Sequence, residues 1–442
     1  MKTEKLVLTI LLIFLIIPLF MIKTVFAESI SYQANITHSA TAPEIDFPIY
    51  SEGAVLIESS TGKILYGKDE NKKLYPASTT KILTAIIAIE KYNLTEKITA
   101  SNSAIMAIPS GYSNAAIQPG ESLPLQDLLD LFLIHSANEI GYILAENISG
   151  NIDEFAKLMN QKASEIGCKN THFTNPSGIH NTEHYSTAYD MALIAKYCMK
   201  NESFRNIVSK TSCTINATDK YQERYFKNTN DLLDKKSKYY YEYAIGIKTG
   251  FTSQAKNCLI AASKKDNMEL ITVALGAEAT DDGRSGRYVD TINLFNFGFN
   301  NYKFQQLANA NTIIKEISIE NATKDTKNLS LILEDNITAL APANADLSKI
   351  NYSLDIPENI SAPISKGDVL GKITYTINGI DYSSNLIASN NVEEFNFSLS
   401  TTQIISALIV LFILIKLLFF KKKKSKKKTK KYNKYDSIYK FK

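Results

Sequence analysis

Two apolar runs, one at each end of the chain, confine the part that must fold in water to the residues between them. The first, Leu6 to Ile22, follows Lys2 and Lys5 and leads to Val25-Phe26-Ala27, a sequence suited to signal-peptide cleavage after Ala27. Residues 1–27 therefore read as a signal peptide, with an uncleaved anchor as the other reading because the run approaches spanning length. The second, Ile404 to Phe420, is interrupted only by Lys416. At ~1.5 Å per residue it extends about 26 Å, marginally enough for the hydrocarbon core of a bilayer. Lys416 is near enough to Lys421–Lys424 for its amine to reach the same interface. A membrane-spanning helix over 403–420 is expected, the alternative being an interfacial amphipathic helix. The basic tail 421–442 would then be cytoplasmic and meet anionic lipid, with everything from Glu28 to about Thr402 outside a single-pass cell-membrane anchor.

The net charge of +4 reflects that tail, whose 22 residues hold 12 lysines and one acid, Asp436. Between Glu28 and Gln403 there are 33 basic and 43 acidic residues. An acidic body with a basic tail argues against nucleic acid as a partner, which would call for a basic groove with stacking aromatics. Cys168, Cys198, Cys213 and Cys258 lack close-pair metal spacing, and the five histidines form no H-E-x-x-H, so zinc hydrolysis has little support. Cys198 and Cys213 could pair in an oxidising compartment; buried free thiols are the alternative.

After a polar leader (28–48), Ala54–Ile57 and Ile64–Tyr66 read as a hairpin around Ser59-Ser60-Thr61-Gly62. From Ser78 to Tyr92 the apolar spacing becomes helical, and it does so again over Leu125–Leu133, Asp153–Ile166 and Thr187–Cys198. Three strands follow, at Ala244–Thr249, Cys258–Ser263 and Leu270–Leu275, and then a helix over Tyr288–Phe297. This order predicts an α+β body over 49–300 with an antiparallel sheet. Short alternating runs at Thr312–Ile314, Leu329–Leu333, Val369–Gly371 and Ile373–Ile377, with turns at Lys366-Gly367-Asp368 and Asn378-Gly379, predict a β-rich second domain over 301–398.

Three short motifs fall on these elements in order: Ser78-Thr79-Thr80-Lys81 at a helix start, Ser136-Ala137-Asn138 after a helix, and Lys248-Thr249-Gly250 at a strand end. Each alone is weak; the ordered set is a strong signal. Ser78 and Lys81 lie one turn apart on one helix face. A serine hydroxyl needs a neighbour to take its proton, and a lysine can do so if burial and a second cation, here Lys248, lower its pKa. Ser136 could relay the proton, and Asn138 could grip a peptide carbonyl and the lysine head. Lys248 and Thr249 suit a substrate carboxylate, and Gly250 lets a peptide lie close to the strand edge. The N–H groups of Ser78 and Phe251 could hold an oxyanion. A site that reads a free carboxylate is an exopeptidase site.

With these motifs, and with Tyr75-Pro76-Ala77, Asn175-Pro176-Ser177-Gly178, His184 to Ala192 and Gly246 to Thr252, the chain resembles the low-molecular-mass penicillin-binding proteins that are D-alanyl-D-alanine carboxypeptidases. The resemblance covers about Ser51 to Asn300. It implies a β-lactamase/transpeptidase-like catalytic domain, followed by a small β-rich domain and a C-terminal transmembrane helix. It further implies an acyl-enzyme on Ser78, Lys81 as general base, Ser136 as relay, peptidoglycan stem peptides as substrates and β-lactams as acylating inhibitors, without cofactor. Ser177 stands where many members have histidine, so its side chain carries no role over from them; His180 and His184 are given none. A class A β-lactamase would share the motifs, but neither Glu165 nor Glu183 sits in that family's E-x-x-L-N context. A DD-endopeptidase remains open, and a catalytically silent wall-binding protein is disfavoured by the intact motif residues.

Overall fold

The computed structural model describes residues 43–428 apart from 348–349, 378 and 397–399. The signal-peptide segment, most of the leader, Asn378 of the expected turn and the tail beyond 428 lie outside the described residues.

The first strand, β1 (Gly53–Glu58), is buried on both faces and turns through Gly62 into β2 (Ile64–Lys68). Gly62 sits at φ +77°, where a side chain is strained. Glu58 closes this turn by accepting the N–H groups of Ser60 and Thr61. The chain returns to the sheet much later, with β3 (Ala244–Thr252), β4 (Lys256–Lys265) and β5 (Met268–Ala277). The five strands pair antiparallel in the order β2-β1-β5-β4-β3.

Side chains alternate across this sheet as the pleat requires. Val55, Ile57, Ile260, Ile271 and Val273 enter a helical core on one face, while Leu56, Leu259 and Leu270 pack under a helix on the other. The first face carries α1 (Lys81–Lys91), α2 (Leu125–Asp130), α3 (Asn138–Ser149), α4 (Ile152–Ile166), α5 (Ala188–Met199) and α6 (Glu202–Val208). The second carries α7 (Gly286–Asn301). The α+β body with an antiparallel sheet is as the sequence predicts.

Three details differ from the sequence reading. The helix expected from Ser78 begins as a 3-10 turn over Ala77–Thr80 and becomes α-helical only at Lys81. The helix expected to Leu133 ends at Asp130 and widens into a π-turn over Leu131–His135. Helix α3 was not foreseen: Gly141 interrupts its sequence, yet an added Cβ there would lie 2.4 Å from Ser177 Oγ, so close packing demands glycine. Thr187 is the cap of α5, accepting the Asp190 N–H at 3.0 Å. All four cysteines are free, and the Cys198–Cys213 pairing does not form: the Cys198 thiol faces the Ile82 carbonyl, while Cys213 lies in a short hairpin.

Helix α7 runs directly into β6 (Tyr302–Ala308), whose Tyr302 is buried against the first body. Beyond it lie β7 (Ile313–Ser318), β8 (Asn328–Leu333), β9 (Ile337–Pro342), β10 (Tyr352–Asp355), β11 (Val369–Ile377) and β12 (Ile380–Ala388). β6 pairs with β9, and the others form a sheet in the order β7-β8-β12-β11-β10 around Leu329, Leu331, Leu333, Ile373 and Leu386. Thr401–Lys428 is a helix, α8, whose apolar side chains from Ile404 to Leu417 are exposed. Among the described residues no helix is long and apolar enough to cross a membrane.

Candidate active site

Pro76 sets up the site. The Thr79 N–H and hydroxyl both donate to its carbonyl, at 3.2 and 2.7 Å, and close the 3-10 turn that presents Ser78. Gly178 lies against this turn at φ +78°, where a Cβ would collide with the Ala77 carbonyl oxygen at 1.8 Å. Gly250 approaches from β3, and a Cβ there would come within 3.1 Å of Ser78 N. Two glycines thus let two segments close on the serine.

Lys81 is fully buried, and its Nζ lies 2.8 Å from each of three oxygens: Ser78 Oγ, Asn138 Oδ1 and the Ser177 carbonyl. Burial holds its pKa well below the usual lysine value, Lys248 adds to this, and Glu139 opposes it. The amide of Asn138 is oriented by its Nδ2, which donates to Ser113 O at 2.9 Å, so Oδ1 must face the lysine. A neutral amine has two N–H bonds and one lone pair. Asn138 Oδ1 and Ser177 O can only accept, so they take both N–H bonds. In that neutral form the lone pair is left for the Ser78 hydroxyl, whereas the protonated amine donates to the same oxygen at 2.8 Å.

Ser136 follows the π-turn in the left-handed region (φ 72°, ψ 28°) and lines the cleft beside Ser78. Among the described residues no hydrogen bond joins its hydroxyl to Lys81. Thr249, Gly250 and Phe251 line the same cleft, which encloses about 580 Å³; the Phe251 side chain is 63 % exposed. Thr249 shares a 2.6 Å hydrogen bond with Thr229 across it.

Lys248 lies behind the wall. It is 1 % exposed, its Nζ donates to Thr249 O at 3.1 Å, and burial with the Arg287 charge lowers its pKa to about 7. The cation on the cleft itself is Arg287, in the first turn of α7, donating to Gly250 O at 3.2 Å. Sequence reasoning missed it, since a single arginine 39 residues past Lys248 belongs to no spacing pattern. It also missed the Ser177 and Ser113 carbonyls, which no side-chain motif can reveal. His184 is a packing residue: Thr174 N–H donates to Nδ1 at 3.1 Å, so Nε2 carries the proton and faces Thr80 Oγ1 at 2.9 Å.

A serine set against a buried lysine amine, in a cleft along a strand edge, is the arrangement of a serine–lysine acyl-transfer enzyme. Comparison with known proteins takes this to the family. The family model described as D-alanyl-D-alanine carboxypeptidase matches residues 37–279, and the model of the penicillin-binding protein 5 C-terminal domain matches 302–394. The chain belongs to the D-alanyl-D-alanine carboxypeptidase family. It is 34 % identical over 306 residues to the D-alanyl-D-alanine carboxypeptidase DacF of Bacillus subtilis, covering 68 % of this chain and 75 % of that one. With DacA of Haemophilus influenzae it shares 30 % identity, over 67 % and 73 % of the two chains. Among solved structures, penicillin binding protein 5 from Haemophilus influenzae superposes with a TM-score of 0.61 at 29 % identity, covering 80 % of this chain and all of that one.

Proposed function

We infer that the chain is a serine DD-carboxypeptidase that removes the terminal D-alanine from peptidoglycan pentapeptide stems, and that β-lactams acylate the same serine. The observation that carries this reading is the closed coordination of Lys81, which leaves its lone pair no partner but the Ser78 hydroxyl. In the first step Ser78 Oγ attacks the carbonyl between the two D-alanines while Lys81 takes the hydroxyl proton. The N–H groups of Ser78 and Phe251 hold the oxyanion. As the C–N bond breaks, the proton passes through Ser136 to the leaving amine, and free D-alanine departs. Water, giving its proton to Lys81, then hydrolyses the ester and restores Ser78.

Arg287 and Thr249 on the cleft supply a cation and a hydroxyl for the terminal carboxylate, with Lys248 as a buried charge behind them. A carboxylate-reading wall favours trimming of free C-termini over cleavage of internal cross-links. Asn138 holds Lys81 and presents its amide beside the scissile peptide.

The setting proposed for this chemistry is the outer face of the cell membrane. The apolar run Ile404–Phe420 of the sequence, with its side chains exposed from Ile404 to Leu417, is read as the membrane-facing segment over 403–420, and the lysines beyond as a cytoplasmic end on anionic lipid. The β-rich domain then acts as a spacer. The test is release of D-alanine from a pentapeptide ending in D-Ala-D-Ala, by the protein and by its Ser78→Ala variant. Release by the first alone supports the reading; release by neither sinks it.

A further inference from the structure

The proposed chemistry occupies Ser78, Lys81 and Ser136, yet a buried acid beside them has no task. Glu139 is 2 % exposed and lies in the first turn of α3, directly after Asn138. Its Oε1 accepts the Ala115 N–H at 2.6 Å; burial pushes its pKa up, and the N–H groups of Ala115, Glu139 and Ile117 together with Lys81 work against that rise. Its Oε2 is sealed from solvent and makes no hydrogen bond among the described residues. A buried carboxylate oxygen left in this state needs a cause.

Adjacent residues of α3 grip one loop. Ser113 O accepts both the backbone N–H and the Nδ2–H of Asn138, each at 2.9 Å. Two residues on, Ala115 hangs from Glu139. The loop's Tyr112 and Ser113 form part of the cleft wall. Because the Asn138 amide is oriented by Ser113, the place of this loop decides whether Oδ1 faces Lys81.

The charges around this point are few. Lys81 is the cation that Glu139 acts on; burial and Lys248 disfavour the Lys81 cation and Glu139 favours it. Tyr112 on the loop and Tyr142 on α3 stand close to each other, and burial holds Tyr142 protonated, its pKa pushed up to about 12. His135 ends the π-turn, with Nε2 on Asn114 O, and burial and Lys248 favour its neutral form. His184 is neutral in its buried site. Glu139 is therefore the acid that answers the buried Lys81.

We propose that Glu139 is a positioning residue: it pins the 113–117 loop from which the Asn138 amide is hung, and its carboxylate is the negative counterweight to Lys81. This rests on the acyl-enzyme reading above. The test is the rate of acylation by a fluorescent penicillin against pH, on the full-length protein in detergent. Glu139→Gln keeps a carbonyl for the Ala115 N–H and removes the charge. Its acid limb should move to lower pH by about one unit, because Lys81 loses a neighbour that favours its protonated form. Glu139→Ala releases the loop and should slow acylation at every pH, while the acid limb again moves down. A loop-holding role alone would lower the rate without moving the limb. An acid limb for Glu139→Gln that superimposes on the unaltered protein's would overturn the proposal. If thermal melting shows that variant unfolded, Glu139→Asp decides instead: with its charge retained it should keep the original limb, and a one-unit shift there would refute the counterweight. Failure of the unaltered protein to label at any pH would overturn the acyl-enzyme reading itself.

Discussion

Among the described residues, the body up to Asn301 buries Lys81, Glu121, Glu139, His184, Arg224, Lys248 and Asp290, whereas in the sheet between 311 and 392 the sole buried polar side chain is Ser384. Burying charge is costly unless it is paired and hydrogen-bonded, so the two cores were built under different demands. Some of the buried charge is architectural. Asp290 accepts the N–H groups of Tyr50 and Ser51, and Arg224 meets Glu121 at 2.7 Å. Glu58, Asp130 and Asp190 likewise serve local structure, whereas Lys81, Lys248 and Glu139 lie around the Ser78 site. The first core gives up stability to hold an amine out of water; the second, built on Leu329, Leu331 and Leu386, has no such obligation.

The contrast breaks most visibly at Ser78. Ser78→Ala should abolish D-alanine release and penicillin labelling, a fall of at least about 10³-fold, with the melting temperature nearly unchanged. Loss of labelling together with unfolding would mean that Ser78 is structural. In the apolar core the reverse is expected. Leu331→Ala should lower stability to urea by about 2–5 kcal/mol while kcat per folded molecule stays the same. A fall in kcat would show that the two bodies are coupled.

Smaller effects sharpen the comparison within the first body. Arg287→Ala should reduce kcat/KM on pentapeptide by about 10- to 100-fold, because a charged hydrogen bond to the carboxylate is lost. Little change there would return the carboxylate to Lys248. The mildest effect concerns His184, whose buried imidazole has its pKa lowered from 6.5 to about 3. Below 6.5 the unfolded chain takes up a proton that the folded one refuses, so stability falls as pH drops toward 3, by about 1.4 kcal/mol per pH unit. Urea midpoints at pH 6 and 5 should show this slope, and His184→Gln should flatten it; an unchanged slope would refute the buried neutral assignment.

Much of this was legible in sequence because it rests on periodicity and short-range spacing. The β1–β2 hairpin and the succession of β3, β4 and β5 are foreshadowed by hairpin and strand signals, whereas the β1–β5 pairing that joins them into one sheet is not. Ser78 and Lys81 are neighbours by helical spacing alone. Helix α3 was hidden because Gly141, required by the Ser177 hydroxyl, reads locally as a break. The third ligand of Lys81 is a backbone carbonyl 96 residues away, and Arg287 reaches the cleft only because α7 packs on the sheet's second face. Such contacts are made by the fold and leave no trace in local pattern.

The clasp on Lys81 has a consequence for the timing of order in this molecule. A lysine side chain has four rotatable bonds, and freezing them costs about 2 kcal/mol of conformational entropy. Here three hydrogen-bond partners and full burial fix the side chain in the folded protein. That loss is incurred when the chain folds, long before any peptide arrives. An incoming carbonyl meets a base that has no rotamer left to search, and the disorder that would otherwise slow each turnover is absorbed once per molecule.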